Sequence, residues 1–314
     1  MTIDMHCHLF VEEFHNDNYV YAFWNPGQQK SLGLEEAIAI SKERNALRPS
    51  PWDPDGTINI KRMDEAGIEK AVILHLDYGI IFGEAALTIE QQNKYVSEIV
   101  KRFPDRLLWF CGIDPRRPEA AGLFEKCVTQ WGARGIKLYP TTGFLAADRE
   151  AYPLYERASA WGIPVYFHMG PENPPYRNEG NAHPSTLLRV LVDFPDLKVI
   201  VAHLGFDFWR DLLALGKVCE NVMCDFCAWQ RVAKRNYEQF SRILRRFIDE
   251  FGRERIFFGT DAPFVEDFVS SKEWVELVRD LPNQAPSPNR FTPEEISALM
   301  EGNAKRLLAT APKI

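Results

Sequence analysis

The chain has 314 residues, of which 46% are hydrophobic and 26% charged, and its formal net charge is −7. This composition predicts a soluble globular protein, folded as one large α/β domain or as two ordinary ones. The acidic balance and the lack of long basic runs argue against nucleic acid or an anionic membrane as partner, so we expect a small-molecule substrate. We find neither a basic leader nor a window of about 20 apolar residues, and we therefore expect a cytoplasmic protein.

Eight apolar runs of strand length alternate with amphipathic segments of helix length. Most of these runs are continuously hydrophobic, which is typical of parallel strands buried on both faces. The predicted strands are residues 3–8, 70–76, 107–113, 134–139, 163–168, 197–203, 221–226 and 255–259. The predicted helices are residues 57–66, 88–103, 118–131, 152–161, 184–194, 207–215, 234–251 and 292–308.

Eight consecutive strand–helix units predict a single α/β domain over residues 1–314, folded as a (β/α)8 TIM barrel. A doubly wound open sheet is the alternative, but it would carry a Gly-rich phosphate loop after the first strand, and this sequence has none there. The final predicted helix begins with Thr292 and Pro293 followed by Glu294 and Glu295, a pattern typical of a helix N-terminus.

A long insertion, residues 9–56, follows the first strand and is rich in aromatic residues and prolines. A connection of this length in a compact domain usually has a function or structure of its own. Residues 34–45 have the pattern of a short helix. We interpret the insertion as a cap over the barrel mouth, with a contact between oligomer subunits as the alternative.

His6 and His8 lie at the end of the first predicted strand. Side chains two residues apart on a strand point to the same face, so these two imidazoles can bind one ion. A pair of imidazoles suits zinc, iron, manganese or nickel better than magnesium or calcium. The motif alone is short, and two histidines on one strand face are also compatible with ordinary core or surface positions.

Polar residues also occur near the ends of four later strands. Lys137 lies near the end of strand four, His168 ends strand five, His203 ends strand six, and Asp261 follows strand eight. In a (β/α)8 barrel the carboxyl ends of the strands meet at one mouth, where catalytic residues from several strands converge. Each residue taken alone has an ordinary structural explanation, but their common position favours one shared site.

This pattern resembles the amidohydrolase superfamily, and within it the amidohydrolase-related group that includes aminocarboxymuconate-semialdehyde decarboxylase. The resemblance extends over nearly the whole chain, from His6-x-His8 to Gly259-Thr260-Asp261. It implies a divalent metal, with zinc as the first choice and manganese or iron as alternatives, and a catalytic role for His203 on a metal-activated water. The metal ligands that it implies are His6, His8, His168 and Asp261.

Lys137 introduces an alternative within this resemblance. Its Lys-Leu-Tyr-Pro segment is also similar to the strand-four segment of dihydroorotases, in which a carbamylated lysine bridges two metals. A carbamylated Lys137 would make the centre binuclear, with His168 and His203 on the second ion. The mononuclear arrangement is the usual one in the amidohydrolase-related group, and there the Lys137 ammonium would orient a substrate oxygen.

The leading hypothesis is a metal-dependent hydrolase that cleaves an amide, lactone or ester bond in a small carboxylated or aromatic substrate. In this hypothesis His203, Asp261 and Lys137 are catalytic, with Asp261 passing a proton to the leaving group. Non-oxidative decarboxylation, as in the named member of the group, is the first alternative. A barrel that serves only as a binding subunit is the second alternative, and oxidation chemistry at an iron site is a rarer third one.

Four further residues are candidates for substrate binding. They are His75, Arg116, Arg177 and Trp24. His75 and Arg116 follow strands two and three, where the ordinary explanation is that they cap turns. His183 precedes a helix, and we expect it to be a cap or surface residue. A homodimer is compatible with the sequence because symmetric dimers are the commonest oligomers.

The six cysteines fall mostly in apolar segments, so we expect reduced core thiols and no disulfide framework. Cys224 and Cys227 have the CxxC spacing, but no second pair follows to complete a four-ligand zinc site.

Overall fold

The computed structural model describes residues 1–19, 52–171 and 180–309. Eight parallel strands form one sheet in which each strand pairs with the next along the chain. The strands are β1 (Ile3–Cys7), β2 (Lys70–Leu74), β3 (Leu107–Gly112), β4 (Ile136–Leu138), β5 (Val165–Phe167), β6 (Val199–Val201), β7 (Val222–Asp225) and β8 (Ile256–Phe257).

The sheet curls so that its first and last strands meet. Met5 donates its amide hydrogen to the carbonyl of Phe258, and both Thr260 and Asp261 donate to the carbonyl of His6. A further parallel bridge joins Cys7 to Ala262. These bonds close the barrel, and the predicted (β/α)8 TIM-barrel fold is therefore confirmed.

Helices cover the outside of the barrel. They are α1 (Thr57–Ala66), α2 (Gly79–Phe82), α3 (Ile89–Arg102), α4 (Ala120–Thr129), α5 (Tyr152–Trp161), α6 (Leu188–Asp193), α7 (Trp209–Val218), α8 (Gln230–Arg235), α9 (Tyr237–Arg246), α10 (Ser271–Arg279), α11 (Leu281–Gln284), α12 (Pro293–Ser297) and α13 (Asn303–Ala309). No helix within these described ranges is both long and apolar enough to cross a membrane.

The prediction of one continuous helix over residues 234–251 was wrong, because the chain forms two helices, α8 and α9, in this region. Asn236 interrupts it with a non-helical backbone and caps α9 through its side chain, which accepts a hydrogen bond from the Gln239 amide. The helices α10 and α11 were not predicted. The predicted start of the last helix is confirmed, because Thr292 and Glu295 form a capping box.

The core has two layers. Alternate strand residues point into the barrel, where they form a small interior cluster that includes Met5, Phe110, Tyr166 and Ile200. The opposite strand faces pack with the helices in a much larger cluster. All six cysteines are free and five are buried, as expected for reduced core thiols. Because the interior is filled, the open space for chemistry lies at the mouth of the barrel.

The two described ends of the long insertion come together beside β1. The amide of Asp53 donates to the carbonyl of Phe10 at 2.7 Å, and the rings of Phe10 and Trp52 lie 6.4 Å apart. Phe10 also contacts Phe264 after β8, with ring centroids 4.8 Å apart. The insertion thus leaves and rejoins the barrel at its mouth. Its middle, including the helix predicted over 34–45, lies outside the described residues.

Candidate metal centre

Two histidines of β1 converge on an aspartate that follows β8. His8 Nε2 lies 3.2 Å from Asp261 Oδ1, and His6 Nε2 lies 3.5 Å from the same oxygen. Two ligands bound at about 2.1 Å to one ion lie about 3.0 to 3.4 Å apart in octahedral or tetrahedral geometry. Each imidazole nitrogen therefore lies near the distance from Asp261 Oδ1 that is expected of a neighbouring ligand, and the donor set of nitrogen and oxygen suits a divalent transition metal.

The other ring nitrogen of each histidine has a hydrogen-bond acceptor. His6 Nδ1 donates to Asp225 Oδ2 at 2.9 Å, and His8 Nδ1 donates to the carbonyl oxygen of Leu74 at 2.8 Å. A proton on Nδ1 leaves the lone pair of Nε2 free in the neutral ring. This arrangement of a ligand histidine and an acceptor behind it is the usual one in metal sites.

The centre is buried, and its surroundings favour the uncharged form of two of its histidines, His6 and His203. His6, His8 and His203 are each at most 3% exposed. Burial, reinforced by the neighbouring charge of Lys137, holds the pKa of His6 well below its ordinary value. Burial and the proximity of His168 lower the pKa of His203 in the same direction. Neutral imidazoles are the form that binds a metal ion, so the site is prepared for one without losing protons.

We predicted that His203 ends strand six. In the structure it lies two residues after β6, in a segment with an unusual backbone conformation. Four consecutive residues from His203 to Phe206 have positive φ angles between 48° and 72°. Such angles are rare for residues with side chains and concentrate at functional sites. The segment is held by the Asp225 carboxylate, which accepts from the His203 amide at 3.0 Å, and by Trp229, whose indole donates to the His203 carbonyl at 2.6 Å.

Cys227 contacts the ring of His203 from the β7 side. Its Sγ lies 3.1 Å from His203 Nδ1, and burial raises the pKa of this thiol well above its ordinary value. The thiol therefore keeps its proton. Donor atoms of His6, His203, Cys227 and Asp261 all lie within 4.8 Å of one another, which makes this the compact core of the site.

His168 and Lys137 lie beside this core. His168 Nδ1 is 3.2 Å from His203 Nε2, and its ring stacks on Tyr139 with centroids 4.1 Å apart. Lys137 lies in the middle of β4, is 2% exposed, and carries its ammonium 5.0 Å from the centre of the Tyr166 ring. The barrel thus brings the predicted residues of strands one, four, five, six and eight to one place.

A buried carboxylate fastens the segment that carries Asp261. Asp4 accepts hydrogen bonds from the amide and the hydroxyl of Thr260 at 3.0 and 2.5 Å. Burial is the largest influence on Asp4 and raises its pKa to about 7. Gly259 permits this close approach, because a Cβ there would lie 2.8 Å from His6 Cβ. Both residues set the position of Asp261 relative to β1.

Two predicted substrate-binding residues can be located. His75 follows β2, is 5% exposed, and contacts the ring of Phe14. Arg116 forms a two-point ion pair with Asp114 and donates a third bond to the Thr142 carbonyl, so its guanidinium is engaged within the fold. Trp24 and Arg177 lie outside the described residues. His183 is a helix cap, as expected, because its side chain accepts from the Ser185 amide.

Several site residues were missed by the sequence analysis. They are Asp4, Tyr166, Asp225 and Cys227. Of these residues, Asp225 was the easiest to predict from the sequence, because it is a polar residue near the end of a predicted strand. Tyr166 donates its hydroxyl hydrogen to Asp225 from inside the barrel, which no periodicity could indicate.

The fold and the site together define a class of protein: a (β/α)8-barrel enzyme with histidines and an aspartate gathered at the strand ends, a donor set that suits a divalent metal. A family model described as Amidohydrolase matches residues 3–310. The chain therefore belongs to the amidohydrolase family, and it is a metal-dependent enzyme of the hydrolase or decarboxylase type.

Two curated relatives and one solved structure of the same fold are similar to this chain. Gamma-resorcylate decarboxylase of Polaromonas sp. (strain JS666 / ATCC BAA-500) is 26% identical over 267 residues, 69% of this chain and 79% of the relative. The enzyme of the same name from Rhodococcus jostii (strain RHA1) is 24% identical over 307 residues, 79% of this chain and 92% of the relative. The structure of 5-carboxyvanillate decarboxylase from Novosphingobium aromaticivorans DSM 12444, complexed with manganese and 4-hydroxy-3-methoxy-5-nitrobenzoic acid, superposes with a TM-score of 0.68 at 16% identity, covering 98% of this chain and 96% of that one.

Proposed function

We propose that this protein is a metal-dependent, non-oxidative decarboxylase of a hydroxylated aromatic acid. The observation that carries the proposal is the convergence of His6 Nε2 and His8 Nε2 on Asp261 Oδ1, in a chain whose relatives are named as decarboxylases of such acids. Decarboxylation thereby replaces hydrolysis as the leading hypothesis. Hydrolysis has support only from the description of the family as a whole.

In this proposal His6, His8, His168 and Asp261 hold the ion. The relative that was crystallised with manganese makes Mn²⁺ the first choice for this chain, with Zn²⁺ as the alternative. A divalent ion held there supplies positive charge beside a substrate oxygen, which stabilises the negative charge that develops on the substrate. Asp225 and the Leu74 carbonyl fix the ligand histidines from behind.

The reaction replaces a carboxylate on the ring by a proton. The bond between the ring carbon and the carboxylate carbon breaks, its electron pair stays on the ring, and carbon dioxide leaves. Asp261 has a side chain that is 11% exposed, against 1% for His6 and 4% for His8, so it is the most accessible of the three from the mouth. In this proposal Asp261 delivers the proton to the ring carbon. His203, whose ring lies within the same compact group, then returns a proton to Asp261.

The buried ammonium of Lys137 supplies the positive charge that a substrate carboxylate or phenolate needs in such a site. It lies close enough to His6 and His203 to lower the pKa of both. A lysine ammonium acts as a point charge that attracts an anion, without the planar two-point contact that an arginine would make. Arg116, which was the other basic candidate within the described residues, is engaged by Asp114.

The test uses the purified protein reloaded with Mn²⁺ or Zn²⁺ and incubated with hydroxybenzoic acids, including 2,6-dihydroxybenzoate. We expect release of carbon dioxide in equal amount to the decarboxylated ring, measured by trapping of the gas and by chromatography. The matched control is the double variant His6→Ala, His8→Ala with the same metal. Hydrolysis of a lactone, amide or ester panel without release of carbon dioxide from any acid would refute the proposal.

A further inference from the structure

Two histidines outside the compact core carry buried ring nitrogens that have no hydrogen-bond partner among residues 1–19, 52–171 and 180–309. They are His15, at both Nδ1 and Nε2, and His75, at Nε2. Gln92 hydrogen-bonds the His75 ring, which leaves Nε2 as the nitrogen without a partner in the described part of the chain. Buried polar atoms in folded proteins are nearly always hydrogen-bonded, so three exceptions in one region require an explanation.

Both histidines adjoin the metal centre. His75 follows Leu74, the residue whose carbonyl accepts from His8. The ring of Phe14 contacts His75 at 5.2 Å and His15 at 6.5 Å between centroids. Phe10 connects the group to the centre, because its ring lies parallel to that of His8 at 6.1 Å and contacts His15 at 5.3 Å.

The surroundings of His15 are aromatic. Its ring stacks on Tyr19 with centroids 4.1 Å apart and an angle of 17°, and on Trp52 at 5.6 Å and 28°. Near-parallel stacking uses the faces of an imidazole and leaves its edge, which carries both nitrogens, for hydrogen bonding. The edge of the His15 ring is therefore the part that is left for a polar partner.

Neither histidine carries a charge at neutral pH. Burial lowers the pKa of both to about 3, assisted for His15 by the nearby His75 and His8. A neutral imidazole offers one donor and one acceptor, which matches a hydroxyl group and does not match a carboxylate. The charged end of a substrate therefore belongs to the metal and Lys137, and the neutral end to these histidines.

We propose that His15 and His75 form a subsite that binds a hydroxyl group on the ring of an aromatic substrate. The proposal rests on the aromatic substrate of the proposed function and adds the residues that select among such acids. Three ring nitrogens without a partner among the described residues, connected to His8 through the ring of Phe10 and lying within an aromatic wall, are the observations that support it.

The experiment measures dissociation constants on the manganese-loaded enzyme by calorimetry, for benzoate and for 2,6-dihydroxybenzoate. We expect the wild type to bind the hydroxylated acid more tightly. The variants His15→Phe and His75→Leu should reduce that preference about five- to tenfold, the value of one neutral hydrogen bond, and leave benzoate binding unchanged. His75→Gln, which keeps a donor and an acceptor, should restore most of it. His183→Phe, at a helix cap, is the matched control.

Equal losses for both ligands in a variant, or an unchanged preference in both variants, would overturn the subsite. Circular dichroism and metal content are measured on each variant to recognise a misfolded protein. If His15→Phe or His75→Leu misfolds, His15→Gln or His75→Gln is measured in its place. The result is independent of turnover. If the variants lose the preference but the wild type releases no carbon dioxide from any acid, the subsite is retained and decarboxylation is refuted. If the wild type releases carbon dioxide but the variants keep the preference, the subsite alone is refuted.

Discussion

Asp225, at the end of β7, accepts a hydrogen bond from Nδ1 of His6 on β1, with 2.9 Å between the two atoms. The same carboxylate accepts from the amides of His203 and Cys227, and from the hydroxyl of Tyr166. It is completely buried. One aspartate thus positions a proposed metal ligand and the backbone of the proposed catalytic histidine, so its loss should affect metal binding and catalysis together.

Replacing Asp225 by Asn removes the negative charge behind His6. We expect the affinity for Mn²⁺ or Zn²⁺ to fall about 10- to 100-fold, since acceptors behind metal-binding histidines commonly contribute this much. Competition with a chromophoric chelator measures the affinity. Asp193→Asn is the control, because Asp193 pairs with Arg189 and Tyr152 on an outer helix. An unchanged metal affinity in Asp225→Asn would contradict the assignment.

Replacing Asp261 by Asn tests the residue on which both imidazoles converge. The amide is a weaker ligand than a carboxylate and has no acidic proton to deliver, so we expect both metal content and turnover to fall sharply. Metal content is measured by mass spectrometry and turnover by release of carbon dioxide. Asp267→Asn, an exposed position in the same loop, serves for comparison. Retention of both properties in Asp261→Asn would remove Asp261 from the site.

The metal stoichiometry separates the two interpretations of Lys137. We expect about one equivalent of metal per chain, because an unmodified Lys137 carries an ammonium group, which has no lone pair with which to bind a metal. Lys137→Gln should then keep its metal and bind substrate more weakly. About two equivalents, with one lost in Lys137→Gln, would instead show a carbamylated lysine and a binuclear centre.

The stability of the metal-free protein should fall as the pH is lowered. His75 has a pKa of about 3 in the folded state, below the usual 6.5 of a histidine in an unfolded chain. The unfolded state therefore binds a proton that the folded state does not between these values. The stabilisation is fully present above about pH 6.5 and is lost by up to about 1.4 kcal/mol per pH unit below it.

Urea unfolding with a chelator present, at several pH values from 5 to 8, measures this dependence. His75→Gln, which has no titrating ring, should show a flatter profile than the wild type. His183→Gln is the matched control, because it replaces a partly exposed histidine at a helix cap far from His75 in the chain. Equal slopes in the wild type and in His75→Gln would show that His75 is protonated in the folded state.

The sequence by itself determined the barrel and the identity of the proposed ligands. Continuous apolar runs can bury both faces only in a parallel sheet, and eight of them separated by helices leave few alternatives. The positions of His6, His8, His168 and Asp261 followed from strand ends and from a family motif. Helix α10 was not predicted, although it buries Trp274, Val275 and Val278 at helical spacing.

Only the tertiary structure decided which side chains hydrogen-bond and position these residues. Asp225 lies 219 positions from the His6 that it holds, and Asp4 lies 256 positions from Thr260, so no local pattern records either bond. The engagement of Arg116 by Asp114, and the isolation of the nitrogens of His15 and His75, likewise depend on which side chains the closed barrel places together. Hydrogen bonds and charge act over a few ångströms in space, whereas the sequence orders residues only along the chain.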